Sequence, residues 1–172
     1  MSLNKTPQIK PLDWDKLSIS GENLGIVLSS ILKEGIPVSF FAKGISMTPF
    51  IQDGDKLIIK PTSQITPSIG RVVAFINLLD EKLLIHRIIA RKSGRFLIKS
   101  DYSSQNNDGW IEEDQILGCV CRVIRADREI TFGLGVERYV IAILSRIGLL
   151  TKAAYYFNKL LIRKKSSDAD LD

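Results

Sequence analysis

Between Val38 and Val123 the chain breaks into short apolar runs separated by turn residues, and this pattern most limits what it can fold into. The runs are Val38 to Ala42, Lys56 to Lys60, Arg71 to Ile76, Leu83 to Ala90, Arg95 to Lys99 and Ile116 to Ile124. Runs of this length, bounded by Gly, Pro, Asp and Ser, suit strands and are too short for helices. Their close spacing predicts a mainly antiparallel β domain. On either side the period changes. Leu24, Val27, Leu28, Ile31 and Leu32 recur at the spacing of an amphipathic helix, with Ser20 as its N-cap and Gly35 then Pro37 as its stop. Farther on, Val136, Tyr139, Val140, Ile143, Ile147, Leu150 and Phe157 share one helical arc, while Glu137, Arg138, Lys152, Lys159 and Arg163 gather on another.

The expected organisation is a polar arm (1–19), a helix plus β core (20–132), a basic amphipathic helical segment (133–165) and an acidic tail (166–172). With 172 residues, 45% hydrophobic and 25% charged, the chain has the makings of about one packed domain.

The net charge of +5 is concentrated in Arg87, Arg91, Lys92 and Arg95 and in Lys152, Lys159, Arg163, Lys164 and Lys165. Such clusters attract nucleic acid or an anionic membrane. Nucleic acid is not expected, because the basic residues are not interleaved with aromatics and no helix-turn-helix or zinc-finger spacing occurs. Arg146 and Lys152 interrupt the C-terminal apolar segment, so no uncharged run approaches the ~18–20 residues of a spanning helix. The first residues, MSLNKTPQIKPLDWDK, hold no apolar core for a signal peptide or anchor. The expected location is cytoplasmic or peripherally membrane-associated. The C-terminal segment has two readings: a helix docked on the β domain, or a basic helix making peripheral contact with a membrane.

Cys119 and Cys121 lie two apart in one apolar run, a spacing suited to neither a disulfide nor a zinc site. They read as small, buried, free thiols. No cofactor or metal is implied.

Three polar features stand out. In GISMTPFIQDGD (44–55), Ser46 lies between Gly44 and Pro49, which suit a chain that bends sharply and then stays fixed. A nucleophile needs such stiffness, although a serine in a Gly/Pro loop is more often a turn residue. His86, the chain's one histidine, sits mid-strand in KLLIHRIIAR, either as a core histidine or as a general base. A neutral imidazole, ordinarily titrating near ~6.5, accepts a serine proton at neutral pH. In LIKSDYSSQNNDG, Asp101 and Asp108 are candidates to orient that imidazole, or members of solvated turns.

Together these segments resemble the signal peptidase I and LexA-type serine peptidase superfamily. GISMTPFIQDGD resembles its Ser-Met-x-Pro box, GRVVAF (70–75) the next strand and IHRII (85–89) the base-bearing strand. FLIKSD (96–101) resembles the Lys-Gly-Asp box and ILGCV (116–120) the closing strand. The resemblance covers roughly residues 38 to 124 and implies a β peptidase fold. Bacterial signal peptidases and LexA-type proteins carry a lysine base on that strand. The endoplasmic-reticulum and archaeal signal peptidases carry a histidine, so the chain is most similar to this Ser-His branch.

By resemblance, Ser46 is the nucleophile, His86 the base, and Asp101 the favoured orienting acid, with Asp108 second. Lys82 is the fallback base. Ser100 stands where the family mostly has Gly, and Gly44 where many signal peptidases have an oxyanion-binding serine. The oxyanion would then rest more on the Ser46 backbone N–H. The implied activity is endoproteolysis of an extended precursor segment, a leader or signal, bound as an added strand. A self-cleaving LexA-type regulator and a non-catalytic peptide-binding module are the alternatives.

Overall fold

The computed structural model describes residues 12–13, 21–77, 82–102 and 109–150. The expected cap Ser20, most of the polar arm, Asp108, Phe157 and the acidic tail lie outside the described residues.

One mixed sheet dominates. Its strands are β1 (Leu12–Asp13), β2 (Val38–Phe41), β3 (Lys56–Pro61), β4 (Val72–Ile76), β5 (Leu83–Lys92), β6 (Arg95–Lys99), β7 (Gly109–Ile111), β8 (Ile116–Arg125) and β9 (Arg128–Ile130). Two α-helices, α1 (Gly21–Lys33) and α2 (Arg138–Arg146), and a short 3-10 turn (Glu113–Gln115) complete the described architecture. The spatial order is β1-β2-β3-β8-β4-β5-β6-β7, with β9 also paired to β8. Only β1 and β2 run parallel; every other pairing is antiparallel. The mainly antiparallel β fold expected from the sequence is therefore present, flanked by an N-terminal and a C-terminal helix.

The long strand β8 joins the two halves by pairing with both β3 and β4. Its register shifts once against each, and Cys121 is the residue left unmatched opposite β3. Such irregularities bend and twist a strand that must serve two partners.

Alternation along the strands sends consecutive residues to two different cores. Val72 and Ala74 join Leu57, Ile59, Val120 and Val123 beneath α1, which contributes Leu28 and Leu32. Val73 and Phe75 join Ile88, Phe96, Ile98 and Cys119 on the other side. Each fully buried aliphatic side chain stabilises the fold by about 1.5–3 kcal/mol before entropy is counted. α1 ends as its sequence indicates. Gly35 N–H donates to Leu32 O (3.1 Å) and Ile36 N–H to Ile31 O (3.2 Å), a Schellman closure.

α2 packs against β5 with a side that the apolar arc did not indicate. Ile141, Ala142 and Ser145 are buried, whereas Val136, Tyr139, Val140, Ile143 and Ile147 are exposed. Among the described residues of the expected arc, only Leu150 turns inward, joining Phe50 and Ile141. The helix is amphipathic, yet it docks through Ile141, Ala142 and Ser145 and leaves most of its apolar arc outside, so periodicity alone could not choose the docked side. Tertiary contacts chose it. Lys99 Nζ donates to Ser145 O (2.9 Å), and a Cβ on Gly70 would stand 2.7 Å from Arg138 backbone, which leaves room only for glycine.

Candidate active site

The chain leaves β2 at Phe41 and returns at Lys56, residues that are themselves paired, so 42–55 form a closed excursion. Its base is shut by Ala42 N–H donating to Asp55 O (2.8 Å) and Gly54 N–H to Ala42 O (2.9 Å). Within it, Thr48 N–H donates to Ile45 O, and the Phe50 and Ile51 N–H groups donate to Met47 O, all at 3.0 Å. Met47 and Ile51 anchor the turn in the core beneath α1. The Thr48–Pro49 peptide is cis.

The acidic residues that close this segment have separate tasks. Asp53 Oδ1 accepts the Gly44 N–H (2.7 Å) across the excursion. Asp55, buried, accepts the Gln52 N–H (2.7 Å) and a two-point contact from Arg125, Nε to Oδ1 and Nη2 to Oδ2, each 2.7 Å. Arg125 Nη2 also donates to Phe50 O (3.3 Å). Gly44 has φ +91°, and a Cβ there would meet nothing within 4 Å. Its backbone angle, not crowding, explains why glycine stands where the resemblance would place a serine.

Ser46 sits half-buried in this braced turn, and its carbonyl accepts the Tyr102 N–H (3.0 Å). That bond ties the turn to the segment leaving β6, next to Asp101. His86 is buried on β5, opposite Val73, with its ring centroid 6.1 Å from that of Phe75. Arg87, the next residue, points to the other face of the strand.

Arg87 organises the centre. Its Nε donates to both Asp101 oxygens (2.9 and 3.1 Å) and its Nη2 to Oδ2 (2.7 Å). Its Nη1 donates to Gly70 O (2.7 Å) and Gly133 O (2.8 Å), and its Cζ lies 5.2 Å from the Phe50 ring centroid. One side chain thus joins the end of β6, the turn before β4, the approach to α2 and the Ser46 turn. Burial pushes the Asp101 carboxyl above the usual carboxylate range. The charge and hydrogen bonds of Arg87 oppose that shift, followed by the charges of His86 and Lys99.

Asp101 is therefore within electrostatic reach of His86, while its oxygens accept three hydrogen bonds from Arg87. Asp108, the other candidate acid, lies outside the described residues. Lys82 is exposed just before β5, its carbonyl accepting the Asn77 N–H (2.9 Å). Sequence reasoning passed over Arg87, Asp55 and Arg125 as site-building residues. Arg87 did carry a signal: an arginine inside an apolar strand needs a buried anionic partner. Among the described residues, no group of His, Cys, Asp and Glu is arranged to hold a metal ion.

The model of the Peptidase S24-like family matches residues 33–121, a span that contains the Ser46 turn, His86 and Asp101. It covers just over half of the chain. The chain belongs to the Peptidase S24-like family. No curated protein matches it. Membership gives it the β fold of the LexA-like and signal-peptidase-like serine peptidases, in agreement with the sheet described above. α2 lies beyond the span matched to the S24-like family, yet Phe50 in the Ser46 turn packs directly against it.

Proposed function

We propose that this S24-like chain is a serine endopeptidase of signal-peptidase type that removes a leader or signal segment from a precursor by Ser-His catalysis. The observation that carries the reading is the family match across both Ser46 and His86. The bracing of the Ser46 turn supports it, since an attacking oxygen must be held in advance.

In the proposed reaction, Ser46 Oγ attacks the scissile carbonyl while His86 takes its proton. The tetrahedral oxyanion is stabilised by backbone N–H donors, including that of Ser46. His86 then protonates the leaving amine, and the acyl group remains on Ser46. Water, deprotonated by His86, releases the acid product and restores the serine. Asp101 assists as a positioning residue, fixing Arg87 and the segment that holds Ser46, with an added electrostatic influence on His86. Asp101 remains the favoured acid in this scheme and Asp108 the second candidate.

Comparison of protein N-termini in cells carrying wild-type or Ser46→Ala chain tests the proposal. New N-termini that require Ser46 support it and reveal the flanking residues. Unchanged processing with Ser46→Ala rules it out. Shortening of the purified chain itself, abolished by Ser46→Ala, would instead favour the self-cleaving regulator.

A further inference from the structure

The outward side of α2 and its flanks is apolar without interruption. Val136 is 85% exposed, Phe132 66% and Ile143 60%, and Val140, Ile147 and Leu149 accompany them. An exposed apolar strip of this extent marks an interaction surface in a folded protein. The opposite side is already occupied, with Ile141, Ala142 and Ser145 buried and Lys99 holding the Ser145 carbonyl. We propose that this outer face docks on an anionic lipid surface, with α2 lying in the membrane plane.

Charge selects this occupant. Exposed Arg146 borders the strip, and the chain beyond it carries Lys152, Lys159, Arg163, Lys164 and Lys165 before Asp168, its next acid. Between Ile130 and Asp168 the one acid is Glu137. Its Oε1 accepts the N–H groups of Gly133 (2.6 Å) and Gly135 (2.9 Å), so the carboxylate is committed to its own backbone. A second copy on the same face would bring two exposed Arg146 side chains together, whereas anionic headgroups neutralise them.

Tyr139 adds an amphipathic anchor. Arg138 Cζ lies 4.8 Å from its ring centroid, and Arg138 Nη2 donates to its hydroxyl (3.0 Å). Aromatic rings with a polar tip favour the headgroup boundary. Among the described residues no helix is long and apolar enough to cross a membrane, which leaves an in-plane attachment as the geometry α2 permits. Docking would leave the inner contacts of α2 intact and hold Phe50, with the nucleophile turn, close to the lipid surface. The attachment does not depend on the peptidase proposal.

Sedimentation of the full chain with phosphatidylcholine vesicles, with and without phosphatidylglycerol, tests it. The expected result is binding to the phosphatidylglycerol vesicles that weakens as salt increases. Val140→Glu with Ile143→Glu should bind about tenfold or more weakly while keeping the wild-type circular dichroism and melting profile. Should that variant melt early, exposed Arg146→Glu supplies a second arm, again with a loss of about tenfold or more. Equal binding to neutral and anionic vesicles overturns the proposal. So does wild-type binding by the variants, or a dimer in sedimentation velocity that the substitutions dissociate. Ser46→Ala should bind vesicles as the wild type does, so failure of the peptidase reading and failure of this one are separable.

Discussion

Arg87 and Asp101 meet at 2.7 Å, Nη2 to Oδ2, with both side chains at 0% exposure. The pair lies where β5, the end of β6, the Gly70 turn and the approach to α2 converge. Asp101 is next to Tyr102, whose N–H holds the Ser46 carbonyl. The ion pair therefore supports both the fold and the Ser46 turn.

Asp101→Ala leaves the Arg87 guanidinium buried without its counter-charge. Removing one member of such a pair costs about 3–5 kcal/mol. Urea unfolding should register that loss. The double variant Arg87→Met/Asp101→Leu should recover a substantial part, because no isolated charge remains. Equal destabilisation by single and double variants would contradict this account.

Asp55→Ala should slow processing although Asp55 stands nine residues from Ser46. It releases the Gln52 N–H and both Arg125 contacts at once. The expected stability cost is about 2 kcal/mol, less than at Asp101 because Arg125 is partly solvated. A cleavage assay read beside a melting curve checks it. The rate should fall even well below the melting temperature, because the serine is then less firmly aimed.

Gly44→Ser should not act as a gain of an oxyanion donor. The left-handed backbone at φ +91° makes any side chain unfavourable by about 1–2 kcal/mol, although space is open. A lowered melting temperature without an increased cleavage rate is the expected outcome. A faster enzyme would show that the turn relaxes to accept the hydroxyl.

Cys119 should resist alkylation at neutral pH, because burial pushes its thiol up to about 11. The unfolded value is 9.0, so the folded chain keeps this proton to higher pH than the unfolded chain. The associated stability is complete below pH 9 and is lost as pH rises towards 11, by about 2–3 kcal/mol. Cys119→Ala should flatten that decline in unfolding experiments between neutral and alkaline pH.

β2, β3, β4, β5, β6 and β8 were legible because each is an apolar run closed by turn residues. β1, β7 and β9 were not. At two or three residues each, they have too little pattern of their own and exist as strands through pairing with a neighbour. Ser46, His86 and Asp101 were legible as candidates because a resemblance gave order to residues that are individually ambiguous. The partnership of Asp101 with Arg87 was not, since fourteen positions separate them and nothing local joins them.

The sequence alone determined that this chain builds a β domain between two helical segments, and that a stiff Gly/Pro turn presents a serine ahead of a strand-borne histidine. Those are local matters of period, turn chemistry and spacing. Tertiary structure decided which side of α2 is buried, which acid neutralises Arg87, and how the Ser46 turn is braced. Each depends on residues distant in sequence competing for the same buried space and charge. An apolar helix or a buried arginine has several acceptable partners until packing leaves it one.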